Sequence, residues 1–215
     1  MSEAYEYTVM SLERRIIVFV TGCPGSGKSY FAGILKEKFP FFYMSAYDKT
    51  KELFFDKYGF DSLEERAELN KKSLSAYYSE LAMEMEKGVP IIAEYPFCKL
   101  QHEAKLKELV EYYNYKALTI TLYGKAEVMM ERGKMRDISD LARNPGHYLK
   151  RYHKDDYSLS DMIEPMSREE FISFVERKNY FMDIGDKVRI DVTDLDSIDY
   201  EKAYRAIELL YEERK

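Results

Sequence analysis

The sequence predicts a three-layer α/β protein in which helices cover both faces of a five-stranded parallel sheet. Short apolar runs alternate along the chain with longer segments of helical periodicity. The apolar runs lack the polar alternation of half-exposed strands, as is typical of strands buried on both faces. A length of 215 residues with 46% hydrophobic residues suffices for a single domain, residues 1–215, that includes one insert.

The elements are predicted in order from these patterns. Runs rich in apolar residues are predicted to be strands at 16–20, 41–44, 89–93, 117–122 and 188–192. Helical segments are predicted at 28–38, 48–55, 62–85, 100–113, 126–135 and 199–213. Ser62 with Glu65 three residues later is a capping-box pattern that starts the third helix, and Gly88 with Pro90 ends it.

One segment, approximately residues 137–166, does not fit this alternation. It is polar, aromatic and interrupted by proline and glycine, which is typical of a functional lid or of disorder. Within it, residues 143–154 contain two each of His, Arg, Lys and Tyr, the densest basic patch of the chain. This patch could hold a phosphate or a ring, and His147 is a candidate acceptor-binding residue; a solvated loop is a nearly equal alternative.

Composition excludes several classes of protein. The net charge of −6 disfavours a general nucleic-acid coat or binding to an anionic membrane. The longest apolar run, residues 16–20, is too short to span a membrane, and the N-terminus does not resemble a signal peptide. Two cysteines cannot form a disulfide framework and have no zinc-site spacing. We therefore expect a cytoplasmic protein that does not contact membranes.

The strongest functional motif follows the first predicted strand. Residues 22–29 fit the pattern G-x-x-x-x-G-K-[ST] without exception. Glycines let backbone N–H groups surround a phosphate, and the N-terminus of the next helix attracts the same anion. The predicted nucleotide-binding residues are Gly22, Cys23, Pro24, Gly25, Ser26, Gly27, Lys28, Ser29 and Tyr30.

Two side chains of this loop have predicted chemical roles. Lys28, expected on an exposed loop, should reach the β- and γ-phosphates of ATP, and the Ser29 hydroxyl should ligate Mg²⁺. Cys23 occupies a variable position, where packing is the commoner role and oxidation sensitivity the alternative.

The rest of the chain narrows the class of nucleotide-binding protein. None of its asparagines begins the N-K-x-D pattern with which GTPases read their base. The third predicted strand ends in the single acid Glu94, whereas motor and transporter ATPases have an aspartate there, often followed by glutamate.

The loop I-V-F-V-T-G-C-P-G-S-G-K-S, the spacing to Asp48, and the Arg132–Arg136 pair after the fourth strand resemble the P-loop kinase superfamily. They are most similar to the polynucleotide 5′-hydroxyl kinase domain, over about the first 137 residues. The resemblance implies that Asp48 is the general base for the acceptor hydroxyl and that both arginines contact donor phosphates. It places Lys51 where that family has a second basic residue, an arginine, and Glu94 where it has an aspartate.

Each of these residues also has a physical interpretation. Asp48 and Glu94 follow strands of a parallel sheet, at the edge where such sheets bind ligands. Asp48 could orient a hydroxyl, and Glu94 could lie near Mg²⁺ and the acceptor; the alternatives are a helix N-cap and a surface glutamate. Arg132 and Arg136 are spaced i and i+4, so they share a helix face and could grip one anion.

The leading hypothesis is a kinase that uses ATP and Mg²⁺ to phosphorylate a hydroxyl of a small-molecule or nucleotide-like acceptor. The predicted catalytic residues are Lys28, Asp48, Arg132 and Arg136, and Arg132 is also predicted to bind nucleotide. Ser29 and Glu94 are predicted to hold the metal. The predicted acceptor-binding residues are Asp48, Lys51, Glu94 and His147. Alternatives are a polynucleotide 5′-hydroxyl kinase, which the acidic charge and Lys51 disfavour, and a nucleotide-binding regulatory module with little turnover.

Overall fold

All five strands lie in one sheet, and each pair of neighbouring strands is parallel. The computed structural model describes residues 14–141 and 144–212, with their side chains except those of residues 138–140. Within this part of the chain the strands are β1 (Ile16–Gly22), β2 (Tyr43–Ala46), β3 (Ile91–Glu94), β4 (Lys116–Tyr123) and β5 (Asp186–Asp191). Their order in the sheet is β2-β3-β1-β4-β5, which confirms the predicted parallel α/β class.

Seven α-helices occur in the described residues. They are α1 (Lys28–Lys38), α2 (Tyr47–Tyr58), α3 (Leu63–Glu86), α4 (Glu103–Tyr112), α5 (Ala126–Asp140), α6 (Arg168–Lys178) and α7 (Glu201–Glu212). None of these helices is both long enough and apolar enough to cross a membrane. The last helix was predicted to end at 213, a position outside the described residues.

The central strand β1 divides the core into two layers. Its seven residues are all buried, and successive side chains point to opposite faces. Ile16, Val18 and Val20 belong to a cluster with apolar residues of α1 and α7, whereas Ile17 and Phe19 belong to a second cluster with α3 and α4. Helices therefore cover both faces, as an all-parallel sheet requires.

The second strand begins two residues later than predicted. Phe42 is fully buried in the core but precedes β2, because the ladder with β3 begins at Tyr43. The Tyr43 N–H donates to the Pro90 carbonyl at 2.7 Å, so pairing with the neighbouring strand, and not the apolar run alone, sets the boundary.

Helix α6 is an element that the sequence patterns did not predict. It begins with a complete capping box: the Ser167 hydroxyl accepts from the Glu170 N–H, and the Glu170 carboxylate accepts from the Ser167 N–H at 2.8 Å. The same S-x-x-E signal was recognised at Ser62, whose hydroxyl caps α3. The signal was present in both places, but α6 buries only Phe171, whereas α3 buries five of its residues.

The segment predicted to be a lid packs against α2 and α3. Its beginning is helical, since α5 continues to Asp140, and Arg143 of the basic patch lies outside the described residues. Residues 144–163 form two short 3₁₀ turns and connecting loops. Five buried residues make a small separate core that joins this segment to α2 and α3: Phe55, Phe60, Leu69, Leu149 and Tyr152.

Polar contacts reinforce this small core. Phe60 and Tyr152 exchange two backbone hydrogen bonds of 2.7 and 2.9 Å, and the Tyr152 hydroxyl donates to Asp56 at 2.7 Å. Lys154 pairs with the same Asp56 at 3.0 Å. We name residues 144–163 the acceptor-side segment, because they contain His147, which the sequence analysis predicts to bind the acceptor.

We expect Leu149→Ala to loosen the acceptor-side segment without unfolding the sheet. Leu149 is fully buried, and removing a buried leucine side chain costs about 2–5 kcal/mol. Hydrogen exchange at the Tyr152 amide should accelerate by about tenfold or more. Leu159→Ala in the same segment is the control, because Leu159 is 58% exposed and its side chain is not part of the small core. Equal exchange at Tyr152 in both variants would contradict this role of the small core.

Candidate functional site

The loop between β1 and α1 leaves the first turn of α1 open to a ligand. Gly27 is the N-cap of α1, and no side chain caps the helix. The first turn contains no acidic residue that would compete for its N–H groups. Unpaired N–H groups and the positive end of the helix dipole therefore face the position where an anion can bind.

Glycine is required at two positions of this loop by close approaches of the backbone. A Cβ atom at Gly25 would lie 2.0 Å from the Met129 carbonyl oxygen in α5, and Gly25 has a φ of +84°. A Cβ atom at Gly22 would lie 2.3 Å from the Leu122 carbonyl oxygen in β4. The loop is thus wedged between β4 and α5, which fixes its shape before any ligand binds.

Lys28 is buried, contrary to the expectation of an exposed loop lysine. Only 6% of the residue is exposed, and its ammonium donates to the Cys23 carbonyl at 3.0 Å. Burial lowers the pKa of Lys28, and the nearby Glu94 carboxylate opposes this shift. The ammonium therefore lacks the hydration of a surface lysine, so an anion that reaches it is bound more strongly.

Glu94 lies at the carboxyl end of β3, beside Lys28. It is the last residue of the strand and pairs in register with Val20 and Ala46 of the flanking strands. Burial raises the pKa of Glu94, while Lys28 and a hydrogen bond with Ser29 lower it. The interpretation of Glu94 as a surface glutamate is wrong, because only 6% of it is exposed.

Asp48 lies in the first turn of α2, directly after β2. The N-cap of α2 is Ala46, so the alternative in which Asp48 serves as the N-cap is wrong. The carboxylate is 3.5 Å from the Lys51 ammonium one turn later, and the Asp48 side chain is 43% exposed. Lys51 is much more buried, and this burial lowers its pKa although Asp48 opposes the shift.

The side chains of the two arginines of α5 make contacts in different places. Arg136 lines the cavity described next and contacts Asp137, with its Nε at 3.0 Å from that carboxylate. Arg132 donates instead to the backbone carbonyls of Val192 and Thr193 beyond β5, the second at 2.9 Å. The roles of both arginines toward a nucleotide stay predictions, but the structure does not bring their guanidinium groups to one point.

One cavity of about 610 Å³ brings most of the predicted site residues together. This volume is typical of a small-molecule site. The predicted residues that line it are Pro24, Lys28, Ser29, Asp48, Lys51, Glu94, Arg136 and His147. The predicted residues that do not line it are Gly22, Cys23, Gly25, Ser26, Gly27, Tyr30 and Arg132.

Two of the loop residues that do not line the cavity, Tyr30 and Cys23, differ in their exposure to solvent. Tyr30 is 71% exposed on the first turn of α1. Cys23 is buried, and burial raises the pKa of its thiol, which therefore stays protonated. This environment favours the packing role of Cys23 over oxidation sensitivity.

Several lining residues were not assigned to the site by sequence reasoning. The cavity is also lined by Ala32, Gly33, Met44, Ala46, Lys49, Glu52, Tyr95, Pro96, Asn144 and Tyr148. Lys49 and Glu52 follow Asp48 on α2, and Tyr95 follows Glu94, so their closeness to predicted residues was a usable signal. Asn144 and Tyr148 reach the cavity through the fold of the acceptor-side segment, for which the sequence carries no local signal.

The residues present fit a Mg²⁺ ion that arrives with a nucleotide. Mg²⁺ keeps several waters and takes few protein ligands when substrate phosphates complete its shell. The Ser29 hydroxyl and the Glu94 carboxylate are close neighbours, and both residues line the cavity. No cluster of three or more His, Cys, Asp or Glu side chains suited to a metal occurs among the described residues, so such an ion would depend on the phosphates.

Comparisons with known proteins find similarity at the level of structure. No protein-family model matches the chain, and no curated protein matches its sequence. A candidate kinase from Chloroflexus aurantiacus has a TM-score of 0.69 and 22% identity, covering 90% of this chain and 97% of that one. A gluconokinase from Sinorhizobium meliloti has a TM-score of 0.52 and 15% identity, covering 94% of this chain and 98% of that one.

A third neighbour was solved with ligands. The Mycobacterium tuberculosis APS kinase CysC, in complex with AMPPNP and APS, has a TM-score of 0.52 and 17% identity, covering 92% of this chain and 98% of that one. These neighbours are P-loop kinases, and they share the five-stranded parallel sheet with helices on both faces. The chain therefore has the fold of the P-loop kinases.

Proposed function

We propose that this protein is a kinase that transfers the γ-phosphoryl group of ATP to a hydroxyl group of a small-molecule or nucleotide-like acceptor. The observation that carries the proposal is the single cavity lined by Lys28, Ser29, Asp48, Glu94 and Arg136. It combines a phosphate-binding loop with a carboxylate suited to the acceptor. The kinase fold of the neighbours, one of them bound to AMPPNP, supports the same class of reaction.

The nucleotide end of the cavity is formed by the loop and α1. Backbone N–H groups of the loop would hold the β-phosphate, and Lys28 would exchange its bond with the Cys23 carbonyl for one with a phosphate oxygen. Ser29 and Glu94 would hold Mg²⁺, which neutralises phosphate charge when it is bound.

At the acceptor end, Asp48 would accept the proton of the attacking hydroxyl. The acceptor oxygen forms a bond to the γ-phosphorus, the bond to the β–γ bridging oxygen breaks, and ADP leaves with that electron pair. Asp48 is suited to this role because it lines the cavity and is partly exposed. The neighbouring Lys51 ammonium, at 3.5 Å, would orient the carboxylate.

Arg136 would stabilise charge on the transferring group. It lines the cavity, and its positive charge acts on both Lys28 and Glu94. A guanidinium can contact two oxygens at once, so it gains most as charge shifts during transfer.

The alternatives can be separated by the choice of acceptor. ADP formation with small hydroxyl compounds supports the leading proposal, whereas transfer only to an oligonucleotide with a free 5′-hydroxyl supports the polynucleotide kinase. Nucleotide binding without ADP formation for any acceptor supports the regulatory module.

We expect Lys28→Met to reduce Mg²⁺·ATP affinity or turnover strongly, because the ammonium is the buried cation beside the phosphate position. Methionine keeps the apolar stem, so the fold should survive. Lys202→Met, at an exposed position of α7, is the control. Nucleotide titration and ADP production measure the effect, and equal values for wild type and Lys28→Met would contradict the assignment of the loop.

We expect Asp48→Asn to slow phosphoryl transfer by about 10²–10⁴-fold, because an amide cannot accept the hydroxyl proton. Nucleotide affinity should change little, and stability should fall by less than about 1 kcal/mol. Glu64→Gln is a matched control, since Glu64 is likewise the second residue of its helix but does not line the cavity. Transfer by Asp48→Asn within a few-fold of wild type would remove Asp48 from the catalytic residues.

We expect Arg136→Lys to lower kcat by about tenfold or more with a smaller effect on nucleotide affinity. Lysine keeps the charge but loses the two-pronged contact that strengthens during transfer. Steady-state kinetics and nucleotide titration separate the two effects. A change in affinity alone would make Arg136 a ground-state clamp.

A further inference from the structure

Arg66 is a half-buried cation that lacks an acidic partner among the described residues. It lies on the first turn and a half of α3, and its Nη2 donates to the His147 carbonyl at 2.7 Å. Solvent does not reach its Nε, which makes no hydrogen bond with the described residues. No carboxylate in this part of the chain forms an ion pair with it.

Two other cationic groups at this end of the cavity have opposite charges close by. Lys51 lies 3.5 Å from Asp48, and the His147 ring lies 3.8 Å from Glu52. No acid among the described residues forms an ion pair with the half-buried Arg66, and its positive charge acts on Lys51. Two half-buried cations thus lie near each other, and the acids that act on Lys51 are Asp48 and Glu52.

Arg66 lies directly behind the wall of the cavity. It holds the backbone of His147, and its charge interacts with Lys51 and Tyr95; all three of these residues line the cavity. Its guanidinium lies 5.9 Å from the centre of the Phe55 ring, which closes the other side. The Arg66 charge therefore lies close to the part of the cavity wall formed by Lys51, Tyr95 and His147.

Buried charges are costly unless a partner compensates them. Among the described residues, Arg66 has the His147 carbonyl as a hydrogen-bond acceptor but no carboxylate as an ion-pair partner. Tyr95 cannot supply the missing charge, because burial raises the pKa of its phenol well above the usual value and the phenol stays neutral. The missing partner is thus an anion from outside the described residues.

We propose that the acceptor is a small hydroxyl compound that also carries an anionic group, a carboxylate or a phosphate ester, and that the Lys51–Arg66 wall binds this group. The proposal rests on the proposed function, because it assigns the acceptor class to the same cavity. Lys51 contacts the anion from the lining, Tyr95 offers it a neutral hydroxyl donor, and Arg66 supplies the uncompensated charge. This arrangement leaves Asp48 free for the hydroxyl.

The first test measures anion binding without turnover. The full chain is saturated with Mg²⁺·AMPPNP to occupy the loop and is then titrated with inorganic phosphate by calorimetry. We expect phosphate to bind about tenfold or more weakly to Arg66→Gln than to wild type, and Arg66→Lys to lie between them. Arg151→Gln is the control, because Arg151 pairs with Asp61 and Asp156 outside the cavity lining.

Thermal melting without ligand distinguishes binding from a structural role. Arg66→Gln should melt at or above the temperature of wild type, because it removes a half-buried charge that has no acidic partner among the described residues, and an amide can still donate to the His147 carbonyl. A large loss of stability in both Arg66→Gln and Arg66→Lys, with unchanged phosphate affinity in the folded fraction, would overturn the proposal.

The second test uses pairs of acceptors that differ in charge, such as glucose with gluconate and ribose with ribose 5-phosphate. The anionic member should give the higher kcat/KM, and Arg66→Gln should reduce this preference by about tenfold or more. Equal phosphate affinity in wild type and Arg66→Gln, or a preference for neutral acceptors, would overturn the proposal. Failure to bind Mg²⁺·AMPPNP would instead contradict the proposed function, and the effect of Arg66→Gln on phosphate affinity would still be measured.

Discussion

The pairing of β1 with both β3 and β4 is the constraint on which the rest of the molecule depends. Because the three strands are parallel and in register, their carboxyl ends meet at one edge of the sheet. The phosphate-binding loop leaves that edge from β1, and Glu94 ends β3 beside it. Glycine is required at two positions of the loop, since β4 and α5 approach Gly22 and Gly25 too closely for a side chain. The pairing of the buried strands thus determines where the loop lies at the edge of the sheet.

The acceptor end depends on a different set of contacts. Asp48 and Lys51 are carried by α2, which begins directly after β2, and His147 is carried by the acceptor-side segment. The small core of Phe55, Phe60, Leu69, Leu149 and Tyr152 joins these elements without sharing residues with the two large cores of the sheet. The cavity therefore lies between a rigid sheet edge and a wall held by a few aromatic and aliphatic side chains.

The sequence was sufficient to predict the parts of the structure that local rules control. The buried run of β1, the fixed spacing of the loop and the helix after it predict the fold and bring Lys28 and Ser29 to the correct edge. The burial of Lys28 was missed, because it depends on how β3 and α5 pack around the loop. The separation of Arg132 from Arg136 was missed for the same reason: helical spacing gives a shared face but not the carbonyls beyond β5 that Arg132 contacts. Arg66 was not a candidate at all, since its position behind the cavity arises only when α3 and the acceptor-side segment meet.

The independence of the small core has a consequence for how such a protein can diversify. Substitutions in α2, α3 and the acceptor-side segment alter the acceptor wall while the strand ladders and the loop keep their contacts. Under the proposed function, changes of acceptor can accordingly accumulate in two separate segments, residues 47–86 and 144–163, without altering the loop of residues 22–29. Low overall identity to proteins of the same fold, at 15–22% for the three neighbours compared above, is compatible with this division of the chain into constrained and permissive segments.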